Sequence, residues 1–281
     1  MLVDQGALQA GPGAWSLDAE RLLAAAVPAT LTGVLQARLD GLPAAERAAL
    51  QKASVVGLVF WAQALAAVDA QAPEALPALV KRELALPRAQ TSLDGVDEFG
   101  FKHQLLHEVT YDTVLKRVRR ELHLRAGDWF AGLTGVRATG LLASAAWHYE
   151  RAGDALKAAE FYAAALVVRS DFVDALDAMA SLLATHPEER FRNGTQAIKL
   201  AERACLLDGR KSHATQLTLA CAYAEAGHYR DALAAARKSL DLAQAANDTA
   251  ATKDIEEKIE LFKLNQPFRR PPVKTVQGAI P

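Results

Sequence analysis

Five positions in the second half of the chain recur at one fixed spacing. Ala146, Tyr149, Gly153, Ala158 and Ala165 return as Ala220, Tyr223, Gly227, Ala232 and Ser239, each 74 residues on. A weaker copy lies between, with Ala180 and Leu183 in its first helix and Ala197 and Ala204 in its second. Tyr149 to Leu183 is 34 residues and Leu183 to Tyr223 is 40; Ala158 to Ala197 is 39 and Ala197 to Ala232 is 35. The underlying period is therefore 34. Five residues are inserted at the middle turn, in the surface loop THPEERFRNG (185–194), and one later.

That period, with small residues where two helices cross, is the signature of tetratricopeptide repeats. The alanines allow close helix approach, Gly153 and Gly227 end one helix and turn into the next, and Tyr149 and Tyr223 fill the space between neighbours. One helix pair cannot bury its own faces, so about three pairs and a cap are expected. TAATKDIEEKIELFKL, N-capped by Asn247 or Asp248, supplies the cap. In such repeats first-helix positions line a groove for a protein or peptide partner, here Trp147, Glu150, Arg151, Asp174, Asp177 and Glu225. For Trp147 two readings stand: an anchor for a partner, or packing within the helix stack. The tail QPFRRPPVKTVQGAIP has four prolines and no acid, and disorder is expected over 265–281.

The first half is helical with one interruption. Helices are predicted from Pro28 to about Leu42, from Pro43 through PAAERAALQKASVV, from Phe60 to Val68, and from Pro73 to Leu84 with an irregular first turn at Pro77. Short runs at Ala85–Ala89 and Glu98–Phe101 flank Leu93-Asp-Gly-Val, a hairpin signal. This order suggests a winged-helix-like unit over about 43–102. Two helices follow, from His103 to about Val114 and from Lys116 to Leu133, with a boundary at Thr134–Ala138.

Bulk properties exclude several classes. With 32 basic and 33 acidic residues among 281, net charge gives no reason to expect nucleic acid. No apolar run is long enough to span a bilayer and no signal peptide is visible, so a cytoplasmic location without membrane contact is expected. Cys205 and Cys221 are too few for a disulfide framework or a four-thiolate zinc site and read as small buried hydrophobes.

Histidine and glutamate cluster in GFKHQLLHEVTYDTVL (100–115), which invites a metal or catalytic reading. A zinc-peptidase helix needs Glu after its first His, where Gln104 stands; the inverted form needs Glu before the second, where Leu106 stands. The helical wheel gives another account. Leu105, Leu106 and Val109 face a core, while His103, His107, Tyr111 and Val114 share the opposite, docking face. The basic run Lys116–Arg120 and the pair Lys81, Arg82 raise DNA binding, but Glu108, Asp112 and Glu121 dilute the charge, and a solvated helix face accounts for it.

Three stretches carry a family resemblance: VPATLTGVLQARLDGLPAAERAALQKASVVGLVFW, LVKRELALPR and EFGFKHQLLHEVTYDTVLKRVRRELH. In order, over about residues 1–135, they resemble the region after the ATPase core of STAND-type regulatory ATPases, notably those attached to class III adenylate cyclases. The resemblance implies a helical segment and a winged helix followed by tetratricopeptide repeats. It also implies that His103, in Phe101-Lys-His103-Gln-Leu105, is a sensor of ADP bound to the core, with the His103/His107/Tyr111 face docking on that core. Yet the chain has no Gly-rich loop ending in Gly-Lys-Ser/Thr; Gly209-Arg-Lys-Ser212 lacks the preceding glycine spacing. ATP or ADP therefore enters only with an upstream ATPase core, and no cofactor, metal or catalytic residue is expected in this chain.

The expected fold is mainly α: 1–42 an ATPase-core edge and linker helices, 43–135 a winged-helix-like domain with one β-hairpin, 139–264 a tetratricopeptide α-solenoid with its cap, 265–281 the tail. The favoured function is a non-catalytic regulatory scaffold, not an enzyme. The alternatives are a C-terminal fragment of a nucleotide-regulated cyclase or ATPase and a winged-helix DNA-binding regulator.

Overall fold

A computed structural model describes residues 8–11, 14–17, 31–89, 91, 93, 95–133 and 138–271. It is mainly helical, and the chain divides into two compact units, Met1–Trp129 and Phe130–Pro281. Much of the expected ATPase-edge segment, including the predicted helix start at Pro28, and residues 272–281 of the tail lie outside the described residues.

In the first unit, β1 (Leu8–Gly11) and β2 (Ala14–Leu17) pair antiparallel, Leu8 opposite Leu17. Helix α1 (Leu31–Asp40) is not a mere linker: it puts Leu39 into the core, and Arg38 donates to the Arg82 carbonyl at 2.6 Å. Pro43 sits at the N-cap of α2 (Ala44–Val56), where its missing N–H costs nothing. The expected helix at Phe60–Val68 begins instead as strand β3 (Val59–Trp61) before α3 (Ala62–Val68). Its β-branched and aromatic residues suit a pleated surface, and tertiary pairing decides the matter. Phe60 stacks on Phe99 and meets Phe101 edge-on, both at 5.8 Å between ring centroids.

A 3₁₀ turn (Ala72–Ala75) precedes α4 (Leu76–Lys81), the irregularity expected beside Pro77. Strands β4 (Ala85–Pro87) and β5 (Glu98–Phe101) form the expected hairpin, but β3 joins it, giving a three-stranded sheet in the order β3-β5-β4. His103 is the N-cap residue of α5 (Gln104–Thr113), and α6 (Lys116–Gly132) follows. Phe60, Leu65, Leu79, Leu84 and Leu106 form the buried centre.

The second unit starts at Phe130, which stacks on His148 at 5.2 Å between ring centroids. It comprises α7 (Ala138–Ala152), α8 (Ala155–Val168), α9 (Val173–Thr185), α10 (Gly194–Leu207), α11 (His213–Glu225), α12 (Tyr229–Ala245) and α13 (Thr249–Lys263). Consecutive helices pack together, and α9 also packs against α7 and α11. Alanines make the crossings: Ala146, Ala158, Ala197, Ala204, Ala220 and Ala232 are fully buried. Gly194 marks the tightest approach, since a Cβ there would lie 2.7 Å from the Ala226 nitrogen.

Several helix ends follow one rule. After α7, Gly153 takes φ 83° while the Asp154 N–H donates to the Tyr149 carbonyl at 2.9 Å. The same closure follows α11 at Gly227 and α12 at Asn247. Of the two cap candidates for α13, Asp248 is the N-cap, its Oδ1 accepting from the Ala251 N–H at 2.9 Å, and Asn247 takes the left-handed position before it. After α13 the motif recurs: Asn265 has φ 54°, and the Gln266 N–H donates to the Leu261 carbonyl at 3.0 Å. Pro267 prevents further helix, and the chain turns back over the unit.

Candidate functional site

Helices α7, α9 and α11, the first members of the three pairs, meet the returning tail. The Arg270 N–H donates to the Thr185 carbonyl at the end of α9, at 2.9 Å. Its Nη2 donates to Ser181 Oγ at 2.7 Å, and its Nη1 pairs with Glu150 on α7. Arg269 Nη2 lies 2.5 Å from Glu225 Oε2 at the end of α11. That contact is ionic, not a well-aligned hydrogen bond. Phe268 lies over the Lys258 ammonium at 4.3 Å. The expectation of disorder from 265 is thus corrected for the described part of the tail. Two tail arginines thus add their charge to two largely buried carboxylates.

The site is built on further bonds. Glu225 Oε1 accepts from Arg192 Nε at 3.0 Å, which uses the inserted loop between α9 and α10. The Tyr162 hydroxyl donates to Glu150 Oε2 at 2.9 Å. Burial, then the neighbouring Glu150 charge and that bond, push the phenol well above its ordinary range. Asp177 on α9 has its carboxyl pushed up to about 6, chiefly by burial. A Thr218 hydrogen bond and the Arg270 charge pull the other way, and Asp174 and Asp208 add to the rise. Its Oδ1 is buried without a hydrogen-bond partner.

Of the six expected groove residues, Glu150 and Glu225 bind the tail arginines and Asp177 feels the Arg270 charge. Asp174 is exposed. Trp147 is 39% exposed, with the Arg151 guanidinium 5.1 Å from its ring centroid and the buried His148 ring edge-on at 4.9 Å. Ser181, Thr185, Arg192 and both tail arginines were absent from that set. The available signal was compositional: an acid-free tail carrying Phe-Arg-Arg, and a face with four carboxylates.

In the first unit the expected docking face is divided. His103 is exposed. His107 Nε2 lies 2.9 Å from the Ser54 carbonyl, and its ring meets Phe101 edge-on at 5.1 Å. Burial lowers its pKa. Tyr111 is hydrogen-bonded to His123 at 3.0 Å under the Arg119 guanidinium, and Val114 is buried. These contacts lie within the unit, so the wheel's polar face is largely consumed by local packing. Arg82 pairs with Glu46 at 2.7 Å.

Among the described residues, no three His, Cys, Asp or Glu side chains are gathered as metal ligands, and no helix is long and apolar enough to cross a membrane. Cys205 and Cys221 are free and buried, and burial pushes the Cys221 thiol up to about 12. An open cleft of about 710 Å³ between α10, α11 and α12 is lined by Lys199, Glu202, Arg203 and Tyr223.

No family model and no curated protein matches the chain. A solved structure is similar at a TM-score of 0.38 and 16% identity, over 86% of this chain. It is the crystal structure of a Signal Transduction ATPase with Numerous Domains (STAND) protein with a tetratricopeptide repeat sensor from Pyrococcus horikoshii. The chain spans 38% of that protein's length.

Proposed function

We propose that the chain is a non-catalytic regulatory scaffold. In this reading a winged-helix-like unit precedes three tetratricopeptide pairs and a capping helix, and partner proteins bind on the face shared by α7, α9 and α11. One observation carries it: an irregular stretch of protein, Arg269–Arg270, is bound on that face through a main-chain bond to α9 and side-chain contacts with all three helices. The 34-residue period and the fully buried alanines support the tetratricopeptide assignment.

Two measurements test it. A photo-crosslinking residue in place of Ser181 is expected to capture a defined protein from native extract, with capture lost in a Glu150→Gln/Glu225→Gln background. Capture that ignores those substitutions contradicts the use of this face. Calorimetric titration with ATP and ADP is expected to give no binding, and micromolar nucleotide binding by this chain alone overturns the non-catalytic reading.

The alternative, the sensor end of a nucleotide-regulated ATPase, draws on the exposure of His103 at the start of α5. In a chain that carries the ATPase core, His103→Ala is then expected to weaken ADP retention; unchanged retention and basal activity remove that role. DNA binding is the weaker alternative, since Arg82 and Arg119 already have partners within the unit. Absence of duplex binding at low salt eliminates it.

A further inference from the structure

We propose that the face of α7, α9 and α11, with Lys258 of the capping helix beside it, is a receptor for peptides carrying Phe-Arg-Arg or a close equivalent, and that the chain's own tail occupies it until such a partner displaces it. This rests on the scaffold reading and names its ligand class.

The chemistry selects arginine. Arg270 spreads two guanidinium nitrogens over two partners, Glu150 and Ser181 Oγ, while its own N–H fixes the register on the Thr185 carbonyl. A lysine offers one point charge and cannot span both in this geometry. Arg269 reaches a different helix, where Glu225 already holds Arg192. Two adjacent arginines thus bridge the first and third helix pairs across the second. The aromatic position before them lies on Lys258 of the capping helix.

The tail leaves one group unused. Asp177 Oδ1 is buried in the same unit, within reach of the Arg270 charge, without a hydrogen-bond partner. An incoming peptide with a donor at that point gains a bond the tail does not make. The tail has the advantage of tethering: only Leu264–Pro267 separate α13 from Phe268, so its effective concentration is high. A partner's apparent affinity is reduced by the fraction of time the site is free.

The probe is a fluorescent peptide, QPFRRPP, titrated by anisotropy into the full chain. The Arg269→Ala/Arg270→Ala chain is expected to bind it at least about tenfold more tightly than the unsubstituted chain. Adding Glu150→Gln and Glu225→Gln is expected to abolish binding, and a QPFKKPP probe to bind about tenfold more weakly. Equal affinity for the first two chains, or binding that survives the glutamate substitutions, overturns the proposal. A second measurement needs no variant. The Arg270 amide is expected to be protected from hydrogen exchange in the full chain and to lose protection in excess QPFRRPP. Unchanged protection in excess peptide also overturns it. Failure here with successful crosslinking through Ser181 leaves a scaffold with a different ligand; nucleotide binding strikes the scaffold reading alone.

Discussion

The two units differ in where their helices cross and in where their polar groups find partners. The first packs large side chains, Phe60, Leu65, Leu79 and Leu84, around a three-stranded sheet, and its polar groups His107 and Tyr111 find partners inside the unit. The second packs alanines where its helices cross, so its backbones run close there, and Tyr162, Leu176, Leu182, Ile255 and Phe262 fill the space between the crossings. Two of its carboxylates are not settled by its own helices alone: Glu150 and Glu225 are completed by arginines from the tail. The first unit settles these polar groups locally, whereas the second leaves a face whose carboxylates remain available to a chain segment.

This contrast predicts opposite sensitivities. The first unit breaks when made smaller. Phe60→Ala is expected to cost about 3–5 kcal/mol by leaving a cavity, read as an early transition in urea unfolding. The second breaks when made larger. Gly194→Val drives a side chain into the Ala226 backbone and Ala232→Leu separates α12 from its neighbours; each is expected to cost about 1–3 kcal/mol. Tolerance of Ala232→Leu would remove the contrast.

Acid sharpens it further. Asp177 ionises near 3.8 in the unfolded chain and at about 6 when folded. Between those values the unfolded chain gives up its proton first, so stability falls as pH rises across this window and stays lower above it. Asp177→Asn removes that penalty. It is expected to stabilise the chain at pH 7.5 by up to about 3 kcal/mol, with the gain fading by about pH 4. His107 acts in the other direction. Burial favours its neutral ring, so its contribution is present above its ordinary pKa and is lost as pH falls below it. His107→Gln is expected to blunt the loss of first-unit protection on acidification, measured by hydrogen exchange. The smallest expected effect is Phe268→Ala, about 0.5–1 kcal/mol for a half-exposed cation–π contact, read as faster exchange at the Arg270 amide.

Much of the second unit was legible because its rules are local. The 34-residue period places the buried alanines, Gly153 and Gly227 carry the left-handed turns their spacing implies, and Asp248 caps α13. Equivalent positions still diverge. Tyr149 is buried, but Tyr223 lines the cleft and donates to Glu202 at 2.8 Å. In the first unit Phe60 and Trp61 read as the start of a helix, because a three-residue strand gains its stability only from pairing with β5. The helical wheel likewise placed His107 and Tyr111 on a free face, without access to the Ser54 carbonyl or His123 that meet them.

The candidate site divides along the same line. Glu150, Asp177 and Glu225 could be nominated from repeat position. Their partners could not, because Arg270 lies 120 residues from Glu150 and joins it only through the turn after α13. Periodicity fixes which faces are buried, since that depends on spacing along one helix. Which charge meets which is decided by where distant segments are brought together, and a sequence pattern contains no term for that distance.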